Sequence, residues 1–158
     1  MIFAKMIPVF AIASVALCQV PSVTVDGGNG KTIVLTAADL AALPQYTVEA
    51  TDHGSPAKFK GALLADVLAK VDVPTGEKLR GKLLTGYLLV EAADGYRVVI
   101  ALPEFDAGFT DRKIYLVTER DGKPLGNKEG PFRLVVPGDK RPARWVRQVT
   151  ALKIKQAD

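Results

Sequence analysis

Apolar residues follow two different periods along this chain. Within residues 62–71, Leu64, Val67, Leu68 and Val71 recur at intervals of three and four, which is the spacing of one buried helix face. The pattern predicts a helix over 62–71. A shorter helix is predicted over 37–43, since Thr36 and Asp39 have the spacing of an N-cap and its capping-box partner.

Short runs rich in β-branched and aromatic residues form the second pattern, which is typical of strands. The predicted strands cover residues 31–36, 45–51, 83–90, 96–102, 113–119, 132–136 and 146–154. Two Asp-Gly pairs, at 94–95 and 121–122, suit tight hairpin turns. The sequence therefore predicts a mixed α+β domain with an antiparallel-rich sheet and a few short helices.

The beginning of the chain has a different character. Lys5 precedes an apolar run over residues 7–17, and small residues follow, which is the pattern of a secretory signal peptide. We predict a signal peptide at 1–18, a single domain at 19–158, and a periplasmic or secreted location. The apolar run is shorter than the ~20 residues that a membrane span needs, so we expect no transmembrane segment in the mature chain.

Composition and charge narrow the class of protein further. The chain has 158 residues, of which 48% are hydrophobic and 24% charged, as expected for one globular domain. A net charge of +4 is too small to indicate nucleic-acid binding. Cys18 is the only cysteine, so no intramolecular disulfide can form. Its fate stays open between removal with the signal peptide and lipidation.

Basic residues are concentrated near the end of the chain. Four cations lie within residues 140–147, after the turn at Pro137-Gly138 and around the only tryptophan. Arginine side chains bind phosphate and carboxylate groups through paired hydrogen bonds, and loops that follow strands often carry ligand sites. The stretch predicts a pocket for a small anionic ligand, with a solvated basic face as the alternative. The predicted binding residues are Arg133, Lys140, Arg141, Arg144 and Trp145.

Asp52 and His53 are the candidate catalytic residues. His53 is the only histidine of the chain. Neighbouring residues of a strand point to opposite faces, so we expect Asp52 to orient His53 only if the chain turns there. A metal site at this histidine would have to rely on carboxylates, since the mature chain would contain no cysteine.

Three segments resemble the molybdopterin-binding domain of the sulfite oxidase family. They are GPFRLVVPGDKRPARW at 130–145, DGYRVVIALPEFD at 94–106 and FKGALLADVLAKV at 59–71. The resemblance extends from about Thr47 to Ile154. It implies a compact α+β fold that binds a pyranopterin carrying molybdenum and oxidises or reduces small oxyanions or sulfoxides.

The resemblance also assigns roles to residues. It implies that Arg141 and Arg144, with Trp145 and the strand residue Arg133, contact the pterin and phosphate of molybdopterin. The family binds its metal through a cysteine thiolate, and the corresponding position here is Ala50. A thiolate is the soft ligand that such chemistry uses, so we expect no conventional metal ligand.

Three functional hypotheses follow. The first is an exported molybdopterin-oxidoreductase-like domain that binds an anionic ligand, such as a pterin phosphate, without cysteine-ligated molybdenum catalysis. The second is an active molybdopterin-dependent oxidoreductase in which Asp52, His53 or Ser55 lies near the metal. The third is a periplasmic interaction module whose basic cluster binds an acidic protein partner, in which case binding should weaken with salt.

Overall fold

The computed structural model describes residues 20–157. The predicted signal peptide and Cys18 lie outside these residues. Within them the chain forms ten strands and two short α-helices. Every helix in this range is too short or too polar to cross a membrane.

The elements alternate between two sheets. In chain order they are β1 (Ser22–Asp26), β2 (Thr32–Thr36), α1 (Ala37–Ala41), β3 (Gln45–Asp52), β4 (Ser55–Leu63), α2 (Leu64–Ala69), β5 (Gly86–Ala92), β6 (Arg97–Ala101), β7 (Tyr115–Arg120), β8 (Lys123–Pro124), β9 (Arg133–Val135) and β10 (Val149–Gln156). Four 3-10 turns complete them, at Gly76–Lys78, Gly81–Thr85, Leu102–Phe105 and Pro142–Arg144.

Each sheet has five strands. The first has the order β2-β1-β10-β5-β6, in which only the β1–β10 pair is parallel. The second has the order β3-β4-β7-β8, and β9 also pairs with β7. One contiguous cluster of buried side chains joins residues of both sheets, including Val90 and Leu152 of the first and Phe59 and Leu116 of the second. The predicted α+β class is therefore confirmed.

The capping prediction for the first helix is confirmed. The backbone amide of Asp39 donates to the Thr36 hydroxyl at 3.2 Å, and the Thr36 amide donates to the Asp39 carboxylate at 2.8 Å. These bonds satisfy two amides that the first turn of a helix leaves without partners. The helix begins at Ala37 as predicted and ends at Ala41.

Several predicted boundaries were wrong, among them those of the strand predicted over 146–154, which is Val149–Gln156. The strand predicted over 83–90 begins only at Gly86, because Gly81–Thr85 forms a 3-10 turn. The helix predicted over 62–71 covers only Leu64–Ala69, because strand β4 continues to Leu63. Buried Ala57 and Phe59 alternate with exposed lysines in β4, which is the two-residue period of a half-buried strand.

Tight hairpin turns connect several neighbouring strands. Asp121 and Gly122 join β7 to β8, and both have positive φ, 51° and 78°, as the predicted hairpin turn requires. His53 and Gly54 join β3 to β4 in the same way, with φ of 49° and 86°. This second turn was not predicted, and it places Asp52 and His53 at the end of a hairpin.

Candidate functional site

Two arginines and two carboxylates form a cluster at the ends of β3, β7 and β9, which we call the Arg133 network. Its members are Asp52, Arg120, Glu129 and Arg133. The Arg133 guanidinium binds both Asp52 oxygens at 3.0 Å and Glu129 at 2.9 Å. Arg120 binds the same two carboxylates, at 3.1 Å and 2.8 Å. Two positive and two negative charges therefore balance within one hydrogen-bonded group.

Aromatic rings enclose the Arg133 side chain, of which only 1% is exposed. Its guanidinium carbon lies 5.3 Å from the centre of the Phe59 ring and 5.7 Å from that of Trp145. The two rings meet edge to face at 5.9 Å. Cations over aromatic faces are stabilised by the ring quadrupole. Arg133 is buried because both faces of this short strand are covered.

Burial and ion pairing act in opposite directions on Asp52. Burial of the carboxyl favours its neutral form, which would raise the pKa, whereas the hydrogen bond and charge of Arg133 favour the carboxylate, with smaller contributions from Arg120 and His53. The balance lowers the pKa of Asp52 below its usual value of 3.8. Asp52 is therefore a charged partner of the arginines and not a proton donor near neutral pH.

This pKa shift predicts a loss of stability in acid. The folded state holds fewer protons at Asp52 than the unfolded chain, so the stabilisation is complete above about pH 5 and is lost as the pH falls through the unfolded and then the folded pKa. We expect the free energy of unfolding in urea to decrease below about pH 5. In the Asp52→Asn variant the decrease should be less steep, and an identical pH slope in both proteins would contradict the prediction.

A cavity of about 220 Å³ opens beside this network. It is lined by His53, Ala92, Asp94, Tyr96, Arg133, Pro142, Ala143, Trp145 and Arg147. The Tyr96 hydroxyl donates to the carbonyl of Ala143 at 2.8 Å and so ties two walls together. The Nε atom of Arg133 is buried and has no hydrogen-bond partner among residues 20–157. A buried donor without an acceptor is uncommon in folded proteins and calls for a structural or functional explanation.

The structure brings only two of the five predicted binding residues to the cavity. Arg133 and Trp145 line the cavity, and the indole Nε1 of Trp145 donates to the Val136 carbonyl at 2.9 Å, which anchors this loop. Lys140 and Arg141 are exposed and do not line it.

Arg144 is already occupied by carboxylates. Its guanidinium donates to Asp139 at 2.8 and 3.0 Å and to Glu104 at 2.9 Å. The hydrogen bond to Asp139 raises the pKa of Arg144, and Glu104 adds to this effect against partial burial. Several cavity and network residues were not among the predicted binding residues, including Tyr96, Arg120, Glu129 and Arg147. Of these, Arg147 carried a sequence signal, because it belongs to the cationic stretch.

Asp52 and His53 do approach each other because the chain turns at this point. The imidazole Nε2 lies 3.7 Å from the nearer Asp52 oxygen, beyond hydrogen-bond distance, and 66% of the His53 side chain is exposed. Both Asp52 oxygens are already bound by arginines. Asp52 therefore pairs with Arg133 and does not orient His53. His53 is an exposed side chain that lines the cavity.

The residues around the cavity do not fit a cysteine-ligated molybdopterin. The family resemblance assigns the metal-binding cysteine to position 50, which holds an alanine in this chain. No cysteine occurs among residues 20–157. The same residues contain no group of three or more His, Cys, Asp or Glu side chains arranged to bind a metal. The cavity volume of about 220 Å³ is also below the ~300–1,000 Å³ of typical cofactor and ligand pockets.

The two-sheet arrangement is similar to that of a solved structure. The fold is similar to the crystal structure of the sulfane dehydrogenase SoxCD from Paracoccus pantotrophus, with a TM-score of 0.65 and 22% sequence identity over 86% of this chain. This chain spans 38% of the length of that chain. At this level of identity the comparison establishes the fold alone.

The chain belongs to the oxidoreductase molybdopterin binding domain family, whose profile matches residues 18–158. The resemblance inferred from the sequence motifs is therefore confirmed over the described part of the chain. A comparison with curated proteins found no match. Family membership defines the fold and its ancestry, while the function depends on the residues at the site.

Proposed function

We propose that this domain binds a small oxyanion in the cavity beside Arg133 and does not carry out cysteine-ligated molybdenum catalysis. The observation that supports the proposal is the Nε–H donor of Arg133, which is buried, lacks a partner among the described residues and belongs to a side chain that lines the cavity. A buried donor without an acceptor is costly. An oxyanion would supply the missing acceptor.

Arg147 is the cation of the cavity wall that can pair with an anion. The Arg133 network is balanced, and Arg147 is the other cationic side chain that lines the cavity. The opposing carboxylate, Asp94, is exposed and accepts a hydrogen bond from the Tyr96 amide at 2.9 Å. Arginine binds tetrahedral and planar oxyanions through paired hydrogen bonds.

The cavity size favours a compact ligand. A volume of about 220 Å³ corresponds to roughly seven water molecules at ~30 Å³ each, which is enough for phosphate, sulfate or sulfite. A larger ligand such as a pterin phosphate could place only its phosphate here. The ligand group that fits the cavity is therefore the anion itself. Experiments must distinguish a free oxyanion from the phosphate of a pterin.

Calorimetric titration with inorganic phosphate and sulfate tests the site. We expect saturable binding that weakens by about tenfold in Arg147→Gln, because a charge-assisted hydrogen bond contributes about 1.5 kcal/mol or more. Arg141→Gln is the matched control, since Arg141 is exposed and does not line the cavity. Equal losses in both variants would place the anion on the surface stretch instead, and absence of binding would reject the site.

Elemental analysis tests the second part of the proposal. The full chain would be expressed in a host that makes molybdopterin, and the purified protein assayed for molybdenum and for pterin fluorescence after acid release. We expect no stoichiometric molybdenum. Pterin without molybdenum would identify the phosphate of a pterin as the ligand, whereas equimolar molybdenum and pterin would support the alternative of an active enzyme.

A further inference from the structure

A second, larger cleft lies between helix α2 and the loop at 105–114. Its volume is about 750 Å³, and it shares no lining residue with the cavity beside Arg133. Much of its wall is apolar, formed by Leu63, Ala65, Ala69, Phe105 and Ile114. This size and this lining are typical of sites for small organic molecules, which occupy ~300–1,000 Å³.

Most charged groups of the cleft already have partners or face water. They are Asp66, Asp106, Asp111, Arg112 and Lys113. Asp106 accepts hydrogen bonds from the backbone amides of Gly76 and Gly108, at 2.6 and 2.7 Å. Arg112 donates to Glu104 at 3.2 Å. Asp111 and Lys113 are exposed, where solvent screens their charges.

Asp66 is the exception. Its Oδ2 atom is buried, and no donor in the described part of the chain hydrogen-bonds to it. A carboxylate oxygen that has lost water and gained no donor is unfavourable. The carboxylate torsion of aspartate has a broad energy profile, so this group can turn to meet a donor that enters the cleft.

We propose that this cleft binds a small organic cation, a primary amine carried by an aromatic or aliphatic group. The ammonium, with three donors and no acceptor, pairs with Asp66. The apolar part packs against Leu63, Phe105 and Ile114. The cleft shares no lining residue with the proposed oxyanion site. A failure to bind amines would therefore leave the oxyanion proposal intact, and the reverse also holds.

Titration of the purified full chain with 2-phenylethylamine tests the ligand class. The neutral analogue 2-phenylethanol and the anionic analogue 3-phenylpropionate have similar apolar groups and differ in charge. We expect saturable binding of the amine and at least about tenfold weaker binding of both analogues, since hydrogen bonds to charged groups are the stronger ones. Equal binding of the alcohol, or no saturable binding of the amine, would overturn the proposal.

Matched variants locate the site. Asp66→Asn should weaken amine binding by at least about tenfold, whereas Asp111→Asn, at an exposed position of the same cleft, should change it by less than about threefold. Ala69→Trp places a bulky group on an exposed position of the wall and should also abolish binding. Native Trp145 fluorescence and near-UV circular dichroism confirm folding of the aspartate variants. Unchanged amine affinity in folded Asp66→Asn would reject Asp66 as the partner.

Discussion

Asp52→Asn is expected to lower the free energy of unfolding by about 3 kcal/mol, because it leaves the buried charge of Arg133 without its main counter-ion. Asparagine has almost the same shape as aspartate and retains one acceptor oxygen. The loss of stability is therefore due to the missing charge and not to a change in side-chain volume. Glu129 still binds Arg133 at 2.9 Å, which is why we do not expect complete unfolding. Urea denaturation measures the change, and the melting temperature should fall by roughly 6–12 °C.

Asp72→Asn is the matched control for this prediction. Asp72 pairs with Lys31 at 2.7 Å, but both side chains are largely exposed, and exposed ion pairs contribute less than about 1 kcal/mol. A double variant, Asp52→Leu with Arg133→Met, removes both buried charges and should be more stable than Asp52→Asn. If Asp52→Asn were no more destabilising than Asp72→Asn, the Arg133 network would not be a stabilising element.

Gly61→Ala is expected to destabilise the domain by about 2–3 kcal/mol through overpacking. A Cβ atom at Gly61 would overlap the carbonyl oxygen of Leu116 and lie 2.5 Å from the Cα of Val117. Both are backbone atoms of the paired strand β7, so they cannot turn aside as a side chain would. The register between β4 and β7 shifts between Lys60 and Gly61, which brings the two backbones close together here.

Gly126→Ala is the control for Gly61. Among residues 20–157, and apart from Gly126 and its two chain neighbours, no atom lies within 4 Å of a Cβ built at Gly126. Its φ is not in the left-handed region, so the change should stay within about 0.5 kcal/mol. Chemical denaturation and soluble yield compare the two variants. Equal stability of both would mean that β4 and β7 can separate at this point without cost.

Local patterns were sufficient to predict much of the fold. The cap at Thr36 and Asp39 and the turn at Asp121-Gly122 depend on residues close together in sequence, and both are confirmed. Strand β4 was missed because Pro56 and Gly61, which are uncommon within strands, flank the short alternation of Ala57 and Phe59 with the lysines. Its burial depends on pairing with β3 and β7, which periodicity within one segment cannot reveal.

The site was harder to predict because its decisive contacts are long-range. Arg133 binds Asp52, which is 81 residues away, and Arg144 binds Glu104, which is 40 residues away. A cluster of cations in a sequence indicates available positive charge only if no carboxylate of another segment neutralises it. Here the fold supplies carboxylates to Arg133 and Arg144. Within the described range 20–157, the cation that lines the cavity without such a pair is therefore Arg147.

The position of β10 has a consequence for biosynthesis. This strand, Val149–Gln156, lies in the middle of the first sheet, between β1 and β5. A nascent chain that stops short of Val149 therefore lacks the strand that joins the two halves of this sheet, and the backbone edges of β1 and β5 that pair with β10 stay without partners. We expect the native pairing of this sheet to form only after these residues are synthesised, because pairing between strands that are distant in sequence depends on both of them being present.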